Sequence, residues 1–340
     1  MKTKAAFTYG KQDIRLGELE LPAIEPGGAL LQVATCGVCG SDSRMYFTGL
    51  TPRYKQPVVL GHEFSGRIVK LGSENRGFEI GDLVTIAPII PCRRCEPCLD
   101  GLDNLCVHGR VVGCNDDGAM AEHYYVPARM IEAGGMVRVP AGVSTRAAST
   151  AELVGTCLNG WQQTGIEPGD RVVIYGDGPI GLTFVQLARL LGASWVGVAG
   201  HRDTRLKMAL QLGADDARLA DCLDEPPAYP SRIDRVVLAT SNTEALGAAF
   251  SLVKHGGSVL LFSGYVHGTT HAMDLNLLHY RQIHLDSSID CTIRTFRQAV
   301  SLLPRLQMDK LITRSYSLDR VHEAFIATRE KSVNKIVIEP

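Results

Sequence analysis

Three side chains of different chemistry stand near the start of the chain: Cys39 in CGVCGSD, and His62 and Glu63 in GHEFSG. A soft thiolate, an imidazole and a carboxylate form the kind of mixed donor set found at catalytic zinc, where one coordination position stays open for water or substrate. Each residue alone has an ordinary reading: a buried thiol, a turn histidine, a solvated charge. They gain weight from two further motifs. Four of the ten cysteines, Cys92, Cys95, Cys98 and Cys106, fall within PCRRCEPCLDGLDNLC. A ferredoxin-type cluster places its fourth cysteine three residues after the third and follows it with proline. Here the gap is longer and Val107 follows. Four thiolates on a short loop suit a closed tetrahedral zinc site, which is structural because no position is left for substrate; an iron–sulfur cluster or disulfides are the alternatives.

The second motif is YGDGPIG, with Gly176, Gly178 and Gly181 in the G-x-G-x-x-G arrangement and Pro179 and Ile180 within the same turn. It follows the apolar run DRVVIYG and opens the helical stretch GLTFVQLARLLG, the context that makes it a dinucleotide fingerprint. The helix N-terminus offers unpaired N–H groups to the pyrophosphate. About 20 residues further on, an acidic residue ordinarily accepts the ribose hydroxyls of NAD. Here VGVAGHRDTR puts Gly200 at that place, with His201 and Arg202 next. Room, positive charge and a forked donor suit a 2′-phosphate, so NADP(H) is expected over NAD(H). The alternative is that Asp203 reads the ribose.

These motifs need a scaffold. The first 140 or so residues read as short strands between glycine and proline breaks: KAAFTYG, IRLGELELP, ALLQVATCG, FSGRIVKLG, DLVTIAP and AEHYYVP. After Pro140, STRAASTAELVGTCLNGWQQTG is helical in composition. Strands WVGVAG, RVVLAT and SVLLFSG then alternate with helices, the rhythm of a doubly wound parallel sheet. The tail holds helices TFRQAVSLLPRL and LDRVHEAFIATRE and a closing strand NKIVIEP, and DEPPAYP reads as a loop. The 340 residues allow about two domains. Thirty-five basic against thirty-six acidic residues give no electrostatic reason to expect nucleic acid or an anionic membrane as partner. No export signal or membrane span is read, so a cytoplasmic enzyme with reduced cysteines is expected. Cys36, Cys114, Cys157, Cys222 and Cys291 read as buried thiols.

Together, CGVCGSD, GHEFSG, the four-cysteine loop and RVVIYGDGPIGL, in that order along nearly the whole chain, resemble the zinc-dependent medium-chain dehydrogenases of the sorbitol, threonine and polyol branch. The resemblance implies a GroES-like β domain over 1–150 and 291–340, with a Rossmann domain over 151–290 inserted in it. It implies two zinc ions per chain, one catalytic and one structural. Cys39 and His62 would be ligands of the first, and Glu63 a third ligand or a close neighbour of the metal. Glu152, in TAELVGTC, would bind zinc directly or through water. Ser41 would relay the proton, and Thr156 would pack against the nicotinamide. The expected substrates are small alcohols or ketones, a polyol, cyclitol or sugar derivative, with domain closure excluding water. An amino-alcohol dehydrogenase using NAD(H), or a zinc- and nucleotide-binding relative without turnover, are the alternatives. A homodimer or homotetramer is expected, through the cysteine lobe and a final strand within QIHLDSSI.

This chain departs from the pattern in two further places. Glu152-Leu153-Val154 replaces the usual EPL, and Arg44 stands where relatives carry a histidine that completes the proton path. Arg44, Tyr46, Asp116, Asp290 and Arg294 are the polar candidates for substrate contact.

Overall fold

The computed structural model describes residues 1–74, 76–220 and 232–340. Cys222 and DEPPAYP lie outside the described residues. The chain divides into two compact units, one made of Met1–Gly155 with Cys291–Pro340 and the other of Thr156–Asp290.

The first unit is mainly antiparallel β. Its largest path of strands runs Met136–Arg138, Leu83–Ile86, Glu63–Leu71, Ala29–Gly37, Lys335–Glu339 and Ile312–Ser317, and His123–Val126 also pairs with Ala29–Gly37. Lys335–Glu339 runs antiparallel to Ala29–Gly37, with Val337 opposite Gly37 and Ile338 opposite Cys36. The strand near the start and the strand near residue 340 are therefore neighbours. A second sheet pairs Lys2–Gly10 with Asp13–Glu20 and Val58–Val59. Their inward faces share a core that includes Leu31, Ile68, Ile86, Met120, Phe325 and Ile338.

The second unit carries a six-stranded parallel sheet in the order Asp216–Leu219, Trp195–Gly200, Arg171–Tyr175, Ile233–Leu238, Val253–Leu261, His284–Ser287. The adjacent strands RVVIY and WVGVAG are buried along almost their whole length, as strands covered on both faces must be. The strand order reverses at Arg171–Tyr175 and Ile233–Leu238, which is where an open α/β sheet forms its ligand crevice. This is the Rossmann architecture, so the chain is α/β with a β-rich unit and a doubly wound unit. Among the described residues no helix is long and apolar enough to cross a membrane.

Several elements differ from the sequence reading, among them the following. The helix Gly40–Thr48 was not expected: its buried residues include Asp42 as well as Met45, Tyr46 and Phe47, so a carboxylate interrupts its apolar stripe. The stretch 144–165 is two helices, Thr145–Ser149 and Ala151–Thr164. At the break Thr150 Oγ1 donates to the Ala147 carbonyl at 2.7 Å, a side-chain competitor of the helical ladder. Asp216–Leu219 is a short edge strand with two charged residues, and Ile312–Ser317 has an alternating exposed face of Thr313, Ser315 and Ser317. Both lack the continuous apolar run that marks the buried strands.

Candidate active site

Cys39 caps the helix Gly40–Thr48 in extended conformation. His62 and Glu63 sit where the chain enters the strand Glu63–Leu71. Gly61 before them has φ +98°, and a Cβ there would lie 2.5 Å from Cys36 Sγ, so only glycine makes this approach. The result is that Cys39 Sγ, a His62 ring nitrogen and a Glu63 carboxylate oxygen lie within 4.8 Å of one another. Ligands at 2.0–2.3 Å from one tetrahedral zinc stand roughly 3.3–3.8 Å apart, so small side-chain adjustments bring the three onto one ion. The donor set of thiolate, imidazole and carboxylate fits zinc.

Two charged residues absent from the sequence reading hold this cluster. Asp42 is 1 % exposed; its Oδ2 accepts the Cys39 N–H at 3.1 Å and its Oδ1 lies 3.6 Å from His62 Nδ1. A carboxylate behind a ligating histidine fixes the ring and its tautomer. Burial alone would lower the His62 pKa, but Asp42 and Cys39 beside it hold the imidazole well above its ordinary value. The second residue is Lys335, 4 % exposed, whose ammonium forms an ion pair with the 2 %-exposed Glu63 and donates to the Val38 carbonyl at 3.2 Å. Burial works against the charged form of Lys335, while Glu63 and Cys39 raise its pKa overall.

Removing one partner of a buried pair leaves an uncompensated charge, at a cost of about 3–5 kcal/mol. Lys335→Met is therefore expected to lower the stability of the protein by about that amount. Lys335→Met with Glu63→Gln should recover most of the loss, because the stranded carboxylate is gone. Urea denaturation of the two variants checks this; a single variant as stable as the parent would overturn the assignment.

Glu152, buried on Ala151–Thr164, is outside the three-donor cluster but near enough to Lys335 to raise its pKa. Ser41 is half-buried in the first turn of Gly40–Thr48. Tyr54, also absent from the sequence reading, has its phenol pushed up to about 12, chiefly by burial and secondarily by Cys114, with Asp42 and His62 among its charged neighbours. Of the candidate substrate contacts, Tyr46 and Asp116 have side-chain partners. Tyr46 is fully buried with its hydroxyl 2.8 Å from His322 Nδ1, and Asp116 pairs with Arg110 and Arg129. Arg44 is exposed, and Arg294 lies beside Asp103. Asp290, at φ +50°, closes the second unit. A cavity of about 230 Å³ around Leu21, Asp116, His123 and Arg129 shares no residue with the metal cluster.

Cys92, Cys95, Cys98 and Cys106 form a second group whose sulfurs also lie within 4.8 Å of one another. Cys95 caps the short helix Glu96–Leu99, and the 3₁₀ turn Asp103–Leu105 ends at Cys106. All four are free thiols. The main-chain N–H of Arg94 leads in lowering the Cys92 thiol to about 6, and burial leads in raising Cys98 to about 12. Neither short helix buries a side chain, and Leu99, Leu102, Leu105 and Val107 are exposed, so this loop has no core of its own. Four thiolates in this arrangement fit a tetrahedral ion that takes the place of a core. Cys36, Cys114, Cys157 and Cys291 are buried.

In the second unit the glycine turn joins Arg171–Tyr175 to the helix Pro179–Leu190. Gly176 has φ +122°, and a Cβ on it would lie 2.6 Å from the Ala239 carbonyl oxygen. A Cβ on Gly181 would lie 1.8 Å from the Gly176 oxygen, so the helix packs on the turn only with glycine there. Gly178 caps the helix, and its vacant side faces only Arg205 Nη1, at 3.9 Å. Pro179 and Ile180 form the first turn, and Gly200 ends the next strand. A cavity of about 210 Å³ lies at these strand ends, lined by Tyr175, Gly176, Ala199, His201, Thr240 and Asn242. Thr156 begins this unit, half-buried on Ala151–Thr164.

A mixed thiolate, imidazole and carboxylate site and a Rossmann sheet with a phosphate turn, in one chain, define a metal-dependent, nucleotide-linked oxidoreductase. Residues 25–141 match the alcohol dehydrogenase GroES-like domain family and residues 179–305 the zinc-binding dehydrogenase family. The chain belongs to the zinc-dependent medium-chain dehydrogenases of the polyol branch and is an oxidoreductase acting on alcohols. It is 28 % identical to the sorbitol dehydrogenase of Bombyx mori, covering 98 % of this chain and 97 % of the relative. It is 29 % identical to the D-arabitol-phosphate dehydrogenase of Enterococcus avium, covering 100 % and 97 %. A zinc-binding dehydrogenase from Sinorhizobium meliloti 1021, solved bound to NADP, superposes with a TM-score of 0.92 at 28 % identity over the full length of both chains.

Proposed function

We propose that this enzyme transfers hydride between a secondary alcohol on a polyol, cyclitol or sugar derivative and NADP(H), with one catalytic and one structural zinc per chain. The observation that carries the cofactor choice is the end of the strand Trp195–Gly200. It has glycine in place of the ribose-binding acid, and the guanidiniums of Arg202 and Arg205 lie close enough that Arg202 helps lower the Arg205 pKa, after burial. Two like charges held together favour a dianionic ligand. The NADP-bound relative and the sugar-alcohol dehydrogenases among the relatives support the same reading.

Zinc held by Cys39, His62 and Glu63 would supply Lewis acidity, easing loss of the substrate hydroxyl proton near neutrality. Asp42 orients His62, and Lys335 holds the Glu63 carboxylate in place. Ser41, two residues beyond Cys39, would pass the proton outward, and Glu152 would stand by as a nearby carboxylate. Assembly as a dimer or tetramer is part of the reading: Leu99 is 73 % and Val107 70 % exposed on the cysteine lobe, and His284–Ser287 is an edge strand. Light scattering showing a stable monomer at micromolar concentration would count against assembly.

The test of function is an oxidation and reduction screen over polyols, cyclitols and sugar alcohols with both nucleotides. Removing one charge-assisted donor from a phosphate loses roughly 10- to 100-fold in affinity. Arg202→Ala should therefore weaken NADPH by about that factor and NADH by less than about threefold. Equal loss for both nucleotides, or equal efficiency of the parent enzyme with the two, would sink the NADP(H) reading.

A further inference from the structure

Gly200 is more than an absent acid, because the space its side chain would fill is already taken. A Cβ on Gly200 would lie 2.5 Å from Asp177 Cβ, 2.7 Å from its Cγ and 2.8 Å from its Oδ2. Carbon atoms pack at about 3.5–4.0 Å, so no side chain at 200 coexists with Asp177 in this position. Nor is Asp177 loosely placed. It is 7 % exposed, and its Oδ2 accepts the main-chain N–H groups of His201 at 3.0 Å and Arg202 at 2.8 Å. The closest clash is with its Cβ, which moves only if the glycine turn moves.

The carboxylate of this site therefore rises from the glycine turn instead of from the strand end, and that changes what it can do. Its Oδ2 faces main-chain donors, and its Oδ1 lies 4.0 Å from Arg205 Nη1. The same Arg205 nitrogen stands over the vacant side of Gly178. Asp177 thus braces the turn that carries Arg202 and holds Arg205 toward the glycine turn. One buried carboxylate thus holds the main chain at Arg202 and lies beside the Arg205 guanidinium.

We infer that Asp177 and Gly200 act as one specificity-determining pair: Asp177 sterically bars an acidic residue at 200 and positions Arg202 and Arg205, so cofactor preference is set jointly by the two residues and cannot be reversed at Gly200 alone. This rests on the NADP(H) reading for its direction, while the steric coupling stands without it. Asp177 is a positioning residue on this account, and the coupling is the property a general structural role would not produce.

The test measures dissociation constants for NADPH and NADH by nucleotide fluorescence on the zinc-loaded enzyme, with melting curves as a folding control. Overpacking a filled site is costly, so Gly200→Asp should weaken both nucleotides at least about tenfold without a swing to NADH. Exchanging the two residues, Asp177→Gly with Gly200→Asp, should bind NADH at least about tenfold better than Gly200→Asp alone and move the NADPH:NADH ratio toward NADH by about 100-fold. Should Gly200→Asp fail to fold, Gly200→Ala probes the same space with the smallest side chain. It should cost about tenfold when Asp177 is present and less than about twofold in the Asp177→Gly background. A clean swing to NADH by Gly200→Asp, or equal costs of Gly200→Ala in both backgrounds, would overturn the pair. A parent enzyme without cofactor preference would sink the NADP(H) reading and leave the background-dependence of Gly200→Ala as the measure of the coupling.

Discussion

His62→Ala is expected to lower kcat by about 10³- to 10⁴-fold while the melting temperature and nucleotide affinity stay close to those of the parent. A Lewis-acid metal contributes several kcal/mol to the transition state, and each 1.36 kcal/mol is about tenfold in rate. His62 is one of three clustered donors, and of the other two Glu63 is already drawn toward Lys335. Two donors hold zinc poorly, so zinc content should fall from two ions per chain toward one. The fold should survive because His62 is only partly buried and belongs to no part of the apolar core. Asp42→Asn, which keeps the shape behind the ring and removes its charge, should cost about 10- to 100-fold in zinc affinity. Retention of a tenth of parental turnover by His62→Ala would end the zinc assignment at this cluster.

Cys98→Ser should do the reverse, lowering stability and sparing the chemistry. The loop around Cys92–Cys106 buries no side chain in either of its short helices. Structural zinc supplies about 10–16 kcal/mol of apparent binding energy to small metal domains. Here the loop is tethered to a large unit, so only part of that reaches global stability. A loss of about 2–3 kcal/mol corresponds to roughly 5–10 °C in melting temperature for a unit of this size. Turnover at low temperature should stay within about threefold, since the cluster shares no residue with Cys39, His62 and Glu63. Metal analysis should find one zinc in place of two. Substantial iron with visible absorbance in the parent protein would overturn zinc at this cluster, and an unchanged melting curve for Cys98→Ser would overturn its structural role.

The contrast between these clusters explains what the sequence shows and what it hides. The four-cysteine loop and the glycine turn are local: their geometry lies within one short segment, so spacing and the immediate flanks carry it. The parallel sheet was equally legible, because strands buried on both faces leave uninterrupted runs such as RVVIY. The supports of the metal cluster are not local. Asp42 hides as a polar residue on the buried face of an unexpected helix, where an apolar pattern would have been looked for. Lys335 reaches Glu63 only through the antiparallel pairing of two strands distant in sequence, and nothing in NKIVIEP distinguishes its lysine from a solvated one. Asp177 is hidden differently: it stands inside a motif whose glycines draw attention away from the residue between them. The signal that could have found it is the coincidence of an acid inside the turn with a glycine at the strand end.

The pairing of Lys335 with Glu63 also sets a timetable for biosynthesis. Glu63 leaves the ribosome 272 residues before the lysine that neutralises it. At roughly 5–20 residues per second that interval is about 15–55 s. During it, the strands Ala29–Gly37 and Glu63–Leu71 can pair, but the neighbour that completes the sheet and the countercharge for Glu63 do not yet exist. The unit Thr156–Asp290 is synthesised whole within the same interval and can fold first. Synthesis of the Thr156–Asp290 unit is thus complete while Glu63 still lacks its countercharge. Ribosomes stalled short of residue 335 would carry polypeptides whose Glu63 carboxylate has no ammonium to pair with.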